Sequence, residues 1–184
     1  MLFRLGMTVE EAITTYARLS EDIFSKSSVW SSKLSNASRL ENAISKLIHA
    51  SLNDDEDQAR NIRMLDNKGP KWQVANLQLE VTIYLFSTVS FALTAKNLSS
   101  ATRFRTYVPP RHASYDCTVV KAVRATTAEE PFFPNIDIGD ANMKETFIHG
   151  GSRINSLVKA VLEEAVSIFP GQYISCVLSI GSGA

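Results

Sequence analysis

The sequence predicts an α/β layered domain, and three observations predict it. Apolar residues recur at helical spacing behind capping residues near the start. Alternating β-branched and aromatic runs fill the middle, and helical then strand-like patterning returns towards the end. Thr8 followed by Glu11 is a capping box, and Val9, Ala12, Ile13, Tyr16, Leu19 and Ile23 continue at helical spacing, so a helix is predicted from about Thr8 to Phe24. A serine-rich stretch breaks the pattern. Ser38 and Glu41 then form a second capping box ahead of Leu40, Ala43, Ile44, Leu47 and Ile48, predicting a second helix that ends near Leu52.

The acidic run Asn53 to Asp57 reads as a solvated loop rather than a cation site, because no EF-hand spacing or glycine follows. Lys68-Gly69-Pro70-Lys71 is turn chemistry. From Leu77 the alternation of Leu79, Val81, Ile83 and Leu85, with apolar content to Phe91, predicts a buried strand. Phe104 to Val108 is its hairpin partner, stopped by Pro109-Pro110. Asp116 is placed to cap a helix carrying Val119, Val120, Val123 and Ala128, followed by a loop around Phe132 and Phe133. Thr146 to His149 is a short strand. Asn155 is placed to cap a helix through Val158, Val161, Leu162, Ala165, Ile168 and Phe169, which Pro170-Gly171 ends, and Tyr173 to Ile180 is a final buried strand.

Composition limits function. The 184 residues suit one domain, spanning the whole chain, and 45% hydrophobic content suffices for a single core. Lys+Arg and Asp+Glu are 19 each, so no net field draws the chain to nucleic acid. Cys117 and Cys176 sit in no CxxC pair and read as buried free thiols. The start of the chain carries no secretory pattern, and the apolar stretch from Leu77 to Leu93 is interrupted by polar residues, so a cytoplasmic, non-spanning chain is expected.

Three stretches carry a resemblance. The opening Met1-Leu2-Phe3-Arg4-Leu5-Gly6-Met7 is one. Lys121-Ala122-Val123-Arg124-Ala125-Thr126-Thr127-Ala128, with Pro131-Phe132-Phe133 after it, is another. The last combines His149-Gly150-Gly151, Asn155 and Ser179-Ile180-Gly181-Ser182-Gly183, and Phe104-Arg105-Thr106-Tyr107 adds a softer match. Together they resemble the patatin-like phospholipase family, in particular the form common in large fungal proteins. The opening stretch is similar to the end of the helix after the family's Gly-x-Ser-x-Gly turn. The middle stretch is similar to its Ala-Arg-Ala-Thr-Ser-Ala-Ala-Pro helix and aromatic loop. The last stretch matches its Asp-Gly-Gly, Asn-Asn-Pro and Ser-Ile-Gly-Thr-Gly positions.

The resemblance implies an incomplete three-layer α/β/α domain that lacks its N-terminal strands, with strand edges left to pair with a complementing chain or a second copy. It implies lipid acyl hydrolysis by a serine and aspartate dyad without a cofactor. The glycine-rich loop and the nucleophilic serine have no counterpart in this sequence, and His149 stands at the aspartate position, so the expectation is a partial, inactive relative. Two rival expectations are a lipid or phospholipid hydrolase completed by an upstream segment, and a binding module. In the latter, Gly150, Gly151 and the helix starting at Asn155 hold an anion or a lipid surface.

Histidine serves as a general base near neutral pH, but it needs a hydroxyl beside it. Ser152 is near His149 in sequence, yet Arg153 and Ile154 occupy the side of the turn where a nucleophile elbow needs glycine. Ser182 lacks the leading glycine. His49 and His112 fall at no metal-ligand spacing with His149, so no metal is expected. Asp137 and Asp140 read as a polar turn before the strand at Phe147 rather than as a replacement acid. Phe132 and Phe133 read as core filler rather than an acyl wall. Arg124, inside an otherwise apolar helix, has two expected fates: hydrogen bonds to loop carbonyls or a carboxylate in a complete domain, or snorkelling to water.

Overall fold

The computed structural model describes residues 7–24, 33–52, 56–65, 89–94, 97–107, 115–140, 143–149 and 157–177. Helix α1, Val9–Phe24, begins with the predicted capping box: the Thr8 N–H donates to Glu11 Oε2 at 2.8 Å and the Glu11 N–H to Thr8 Oγ1 at 3.2 Å. Its apolar stripe divides along its length. Leu19 and Ile23 are buried, while Val9, Ile13 and Tyr16 are 59%, 65% and 68% exposed.

Helix α2 runs Lys33–Leu52, so Ser38 and Glu41 lie inside it and do not start it. Tertiary packing sets the earlier start. Ala37 extends the buried face of Leu40, Ile44 and Ile48 by one turn, and the buried Asn36 amide donates to the Phe132 carbonyl. Glu41 turns away from the backbone to meet Arg124. The acidic run is split. Positions 53–55 lie outside the described residues, and Glu56 and Asp57 open the one-turn helix α3, Glu56–Ala59.

The turn at 68–71 and the strand positions before Val89 also lie outside the described residues. Strand β1, Val89–Thr94, pairs antiparallel with β2, Asn97–Arg105, in the predicted hairpin order. The partner strand therefore starts earlier than Phe104 and stops at Arg105 rather than Val108. Ser90 faces Phe104 and Val89 faces Arg105 in the register, which leaves Thr106 and Tyr107 beyond the ladder.

Helix α4, Val119–Thr126, is capped by Thr118 and not by Asp116. Thr118 Oγ1 accepts from the Lys121 N–H at 3.3 Å, three residues on. The Asp116 carboxylate is occupied instead by Arg63 Nε, in a pair that ties the α3 connection to the start of α4. The same junction is zipped by backbone bonds from Met64 N–H to the Cys117 carbonyl and from Val119 N–H to the Ile62 carbonyl, at 2.8 and 2.9 Å. Ala128 lies past the helix end.

Strand β3 is Ile136–Ile138 and β4 is Glu145–Ile148. Gly139 has φ of 126°, and a Cβ there would sit 2.5 Å from the Met143 carbonyl oxygen, so only glycine fits. Asp137 is a strand residue and not part of a turn, because its neighbours Ile136 and Ile138 pair with Phe147 and Glu145, and its carboxylate accepts from Thr146 Oγ1 at 2.7 Å. Asp140 does begin the turn, its carbonyl accepting from the Met143 N–H. The sheet order is β2-β1-β4-β3, and every pairing among the described residues is antiparallel.

Helix α5, Leu157–Ile168, ends before Pro170 as predicted, but Val161 of its predicted apolar face is exposed and Glu164 is buried instead. The predicted strand after it does not form where it is described. Residues 172–177 have no regular structure, Tyr173 is 100% exposed, and Ile174, Cys176 and Val177 are exposed as well. Alternating β-branched residues do not make a strand without a ladder partner, and none pairs with them among the described residues. Positions 178–180 lie outside them. Cys117 is buried as expected, its thiol pushed up to about 12 by burial and then by the Asp116 charge; Cys176 is not buried.

The described residues thus form a mixed α and β fold. Its core joins Leu19 and Ile23 of α1, Leu40, Ile44 and Ile48 of α2, Ala122 and Ala125 of α4, and Phe104, Ile138 and Phe147 of the sheet. No helix among the described residues is long and apolar enough to cross a membrane.

Candidate functional site

His149 follows the last residue of β4, and the alternation of that strand puts it on the side of the buried Phe147. Its backbone N–H donates to the Ala128 carbonyl at 2.8 Å. Its Nδ1 meets the Thr126 carbonyl, and because a carbonyl only accepts, Nδ1 carries the proton in that contact. Nε2 lies 3.2 Å from the Glu129 carboxylate. Both ring nitrogens therefore face oxygen acceptors. The half-buried imidazole ties β4 to the end of α4, where an unpaired helix carbonyl and the negative end of the helix dipole favour a donor. Among the described residues no hydroxyl stands at either nitrogen, so nothing there supplies a proton for a base to remove. Gly150, Gly151, Ser152 and Asn155 lie outside the described residues.

Arg124 does not snorkel. It is 2% exposed, and of its two expected fates the structure delivers the first in both forms. Nε contacts Glu41 Oε1 at 3.1 Å, and Nη2 donates to the Pro134 carbonyl at 3.1 Å, bracing α2 and the aromatic loop on α4. Its Cζ lies 5.7 Å from the centre of the Phe133 ring. Phe133 packs against the core, as filler should, whereas Phe132 is half exposed and meets Phe24 edge-on at 6.1 Å.

A further polar cluster joins Arg105 and Tyr107, quoted above only for the resemblance, to Glu164, which nothing in the sequence marks. Arg105 grips Glu164 with two nitrogens, Nη2 to Oε2 at 2.9 Å and Nε to Oε1, and the Tyr107 hydroxyl donates to Oε1 at 2.6 Å. Arg103 adds a contact of 3.2 Å to the same carboxylate. Burial alone would raise the Glu164 carboxyl, but the hydrogen bonds from Arg105 and Tyr107 and the positive charges of Arg105 and Arg103 outweigh it and hold the group below the usual carboxylate range. Tyr107 is driven well above the ordinary phenol range by burial, then by its bond to Glu164. The signal available in the sequence was the alternation of Arg103 and Arg105, which puts two cations on one face of β2, with Tyr107 two residues beyond; their acceptor, far along the chain, carried no mark.

A concavity lies between α1 and α2, bounded by Thr15, Arg18, Asp22, Arg39 and Lys46, and contains no paired nucleophile and base. A smaller one, about 190 Å³, lies beside Arg124. No group of three or more His, Cys, Asp or Glu side chains able to hold a metal ion occurs among the described residues. No family model, no curated protein and no solved structure matches this chain.

Proposed function

We propose that this chain is a non-catalytic portion of a patatin-like lipid acyl hydrolase, with a lipid-associated role in the cytoplasm. The observation that carries the non-catalytic part is the state of His149. At the position the resemblance gives to the dyad acid, the side chain is committed through Nδ1 to a helix carbonyl and faces a carboxylate through Nε2. A general base needs a free lone pair aimed at a hydroxyl. His149 instead serves as a clasp between strand and helix.

The layered architecture of that family is supported by the two faces of β2. Phe104 enters the core on which α4 packs, while Arg103 and Arg105, which alternate with it, reach Glu164 of α5. That alternation supports helices on both sides of the sheet, the arrangement that a three-layer α/β/α domain has.

The test is hydrolysis of a short-chain nitrophenyl ester and of a short-chain phosphatidylcholine by the purified chain. No turnover above the buffer rate is expected, and His149→Ala should leave that null rate unchanged. Turnover that disappears in Ser152→Ala would overturn the reading and install a serine and histidine pair within this chain.

The partner belonging to this proposal is a complementing chain or a second copy, added along the edge of β2 or β3, the terminal strands of the described sheet. The exposed Val9, Ile13 and Tyr16 add uncovered apolar surface. Sedimentation velocity on the isolated chain should show a concentration-dependent increase in mass. A single monomeric species across a hundredfold concentration range would remove the partner from the proposal.

A further inference from the structure

Helix α1 carries two different surfaces, and they complement each other. On one flank Val9, Ile13 and Tyr16 recur at helical spacing and are all exposed, so the helix presents an apolar stripe to solvent. Glu10 and Glu21, both exposed, border that stripe on the side away from the core. An apolar surface that continues along a helix and is rimmed by charge marks a contact site.

On the other flank lies the groove of about 560 Å³ between α1 and α2. Leu19 and Leu47 lie on its apolar floor. Arg18, Arg39 and Lys46 stand around it, with Asp22 as the one acid among its lining residues, so three cations less one acid leave an excess of two positive charges. Arg39 spends Nη1 on the Ile23 carbonyl at 3.2 Å. Arg18 and Lys46 are exposed, and neither makes an ion pair among the described residues. Uncompensated cations around an apolar floor recognise an apolar helix face bordered by carboxylates, which is what the first flank of α1 offers.

A lipid surface is the poorer occupant for that stripe. Helix α1 carries Glu10, Glu11, Glu21 and Asp22 against Arg18 alone, and an interfacial helix is held to anionic lipid by the opposite balance.

Helix geometry then fixes the kind of assembly. At about 100° per residue, the stripe and the groove positions Thr15, Arg18 and Asp22 lie roughly 150° apart around the axis of α1. A copy cannot turn its own stripe into its own groove, and one two-fold interface cannot satisfy both surfaces. The contact is heterologous, and each copy keeps a groove for one neighbour and a stripe for another.

We propose that the chain associates head to tail, the exposed stripe of α1 in one copy docking in the cationic groove between α1 and α2 of the next, with the acidic border of the stripe against Arg18 and Lys46. The contact is separate from pairing at strand edges, and it stands whether or not the chain descends from a lipid acyl hydrolase. One helix face in one groove is at the small end of specific interfaces, so the association is weak, concentration-dependent and reduced by salt.

The experiment is sedimentation velocity on the full chain at low salt, with two charge-swapped variants. Arg18→Glu with Lys46→Glu makes the groove acidic, and Glu10→Lys with Glu21→Lys makes the stripe basic; all four positions are exposed. The parent should form a series of species that grows past the dimer as concentration rises. Each variant alone opposes like charges and should need roughly tenfold higher concentration to associate. An equal mixture of the two should associate at the parent's concentration, because every groove then meets a stripe of opposite charge. Ile13→Gln, uncharged and at an exposed position, should weaken the parent by a similar factor, and the mixture too when both members carry it, which attraction between net charges alone would not produce. It also keeps the test valid should a charge variant melt below the parent. A parent that stays monomeric or stops at a dimer, or a mixture that associates no better than its parts, overturns the proposal. Association that survives unchanged in every variant also overturns it and assigns the contact to the strand edges.

Discussion

Replacing Glu164 with alanine is expected to cost about 3–5 kcal/mol of folding stability, because it strands the Arg105 guanidinium in a buried site with its main acceptor gone. The loss has two parts: removal of a bidentate charge-assisted pair and of the Tyr107 bond, and the desolvation of cations that no longer have a counter-charge. Denaturant unfolding of the parent and of Glu164→Ala measures it. The double variant Arg105→Met with Glu164→Leu should recover most of the loss, since a buried pair replaced by apolar side chains of similar volume is often neutral. A loss below about 1 kcal/mol in Glu164→Ala would place the pair among exposed surface bridges, whose usual contribution is that small.

The same carboxylate gives the fold an acid limit. Its folded pKa lies below the ordinary value, held there by Arg105 and Tyr107 against the opposing effect of burial, so the native state favours the ionised form. That stabilisation is fully present above the unfolded-state pKa of about 4.3 and is lost as pH falls through the folded value. The parent should therefore lose stability in this acid window more steeply than the double apolar variant.

Local chemistry was legible in the sequence and long-range chemistry was not. The α1 capping box and the end of α5 before Pro170 depend on residues a few positions apart, and each was found; of the β1–β2 hairpin only the strand order was, because β1 continues past Phe91 to Thr94 and β2 begins at Asn97 rather than Phe104. The start of α2 failed because it depends on Asn36 meeting the Phe132 carbonyl, 96 residues away, while Ser38 and Glu41 carry a capping signature that also sits comfortably inside a helix. Asp116 was the obvious cap until Arg63, 53 residues earlier, took its carboxylate and left the role to Thr118. The stretch from Tyr173 shows the converse. Its strand pattern was real, but a strand exists only beside another, and sequence alternation does not announce whether a neighbour is there.

The candidate site divides along the same line. His149 was singled out by resemblance, but its function as a clasp depends on the Thr126 carbonyl and the Glu129 carboxylate, which no motif associates with it. Arg124 drew notice as a charge within an apolar helix. Its role as a brace depends on Glu41 and the Pro134 carbonyl, partners that belong to the assembled core rather than to any residue pattern.

Phe147→Ala is expected to cost about 3–5 kcal/mol, against a total stability of about 5–15 kcal/mol for a domain of this kind. The ring is 0% exposed at the centre of the sheet, paired through its backbone with Thr94 of β1 on one side and Ile136 of β3 on the other. It packs at 5.3 Å from the Phe104 ring and 5.4 Å from Tyr115, so its removal leaves a cavity and breaks two aromatic contacts at once. Two residues on and on the same face, His149 should then lose its fixed approach to α4, linking core packing to the clasp. Ile148→Ala is the control, since this half-buried residue points to the opposite face and should cost less than half as much. Equal losses at the two positions would mean that β4 presents a different face to the core, and with it would fall the placement of His149 against α4.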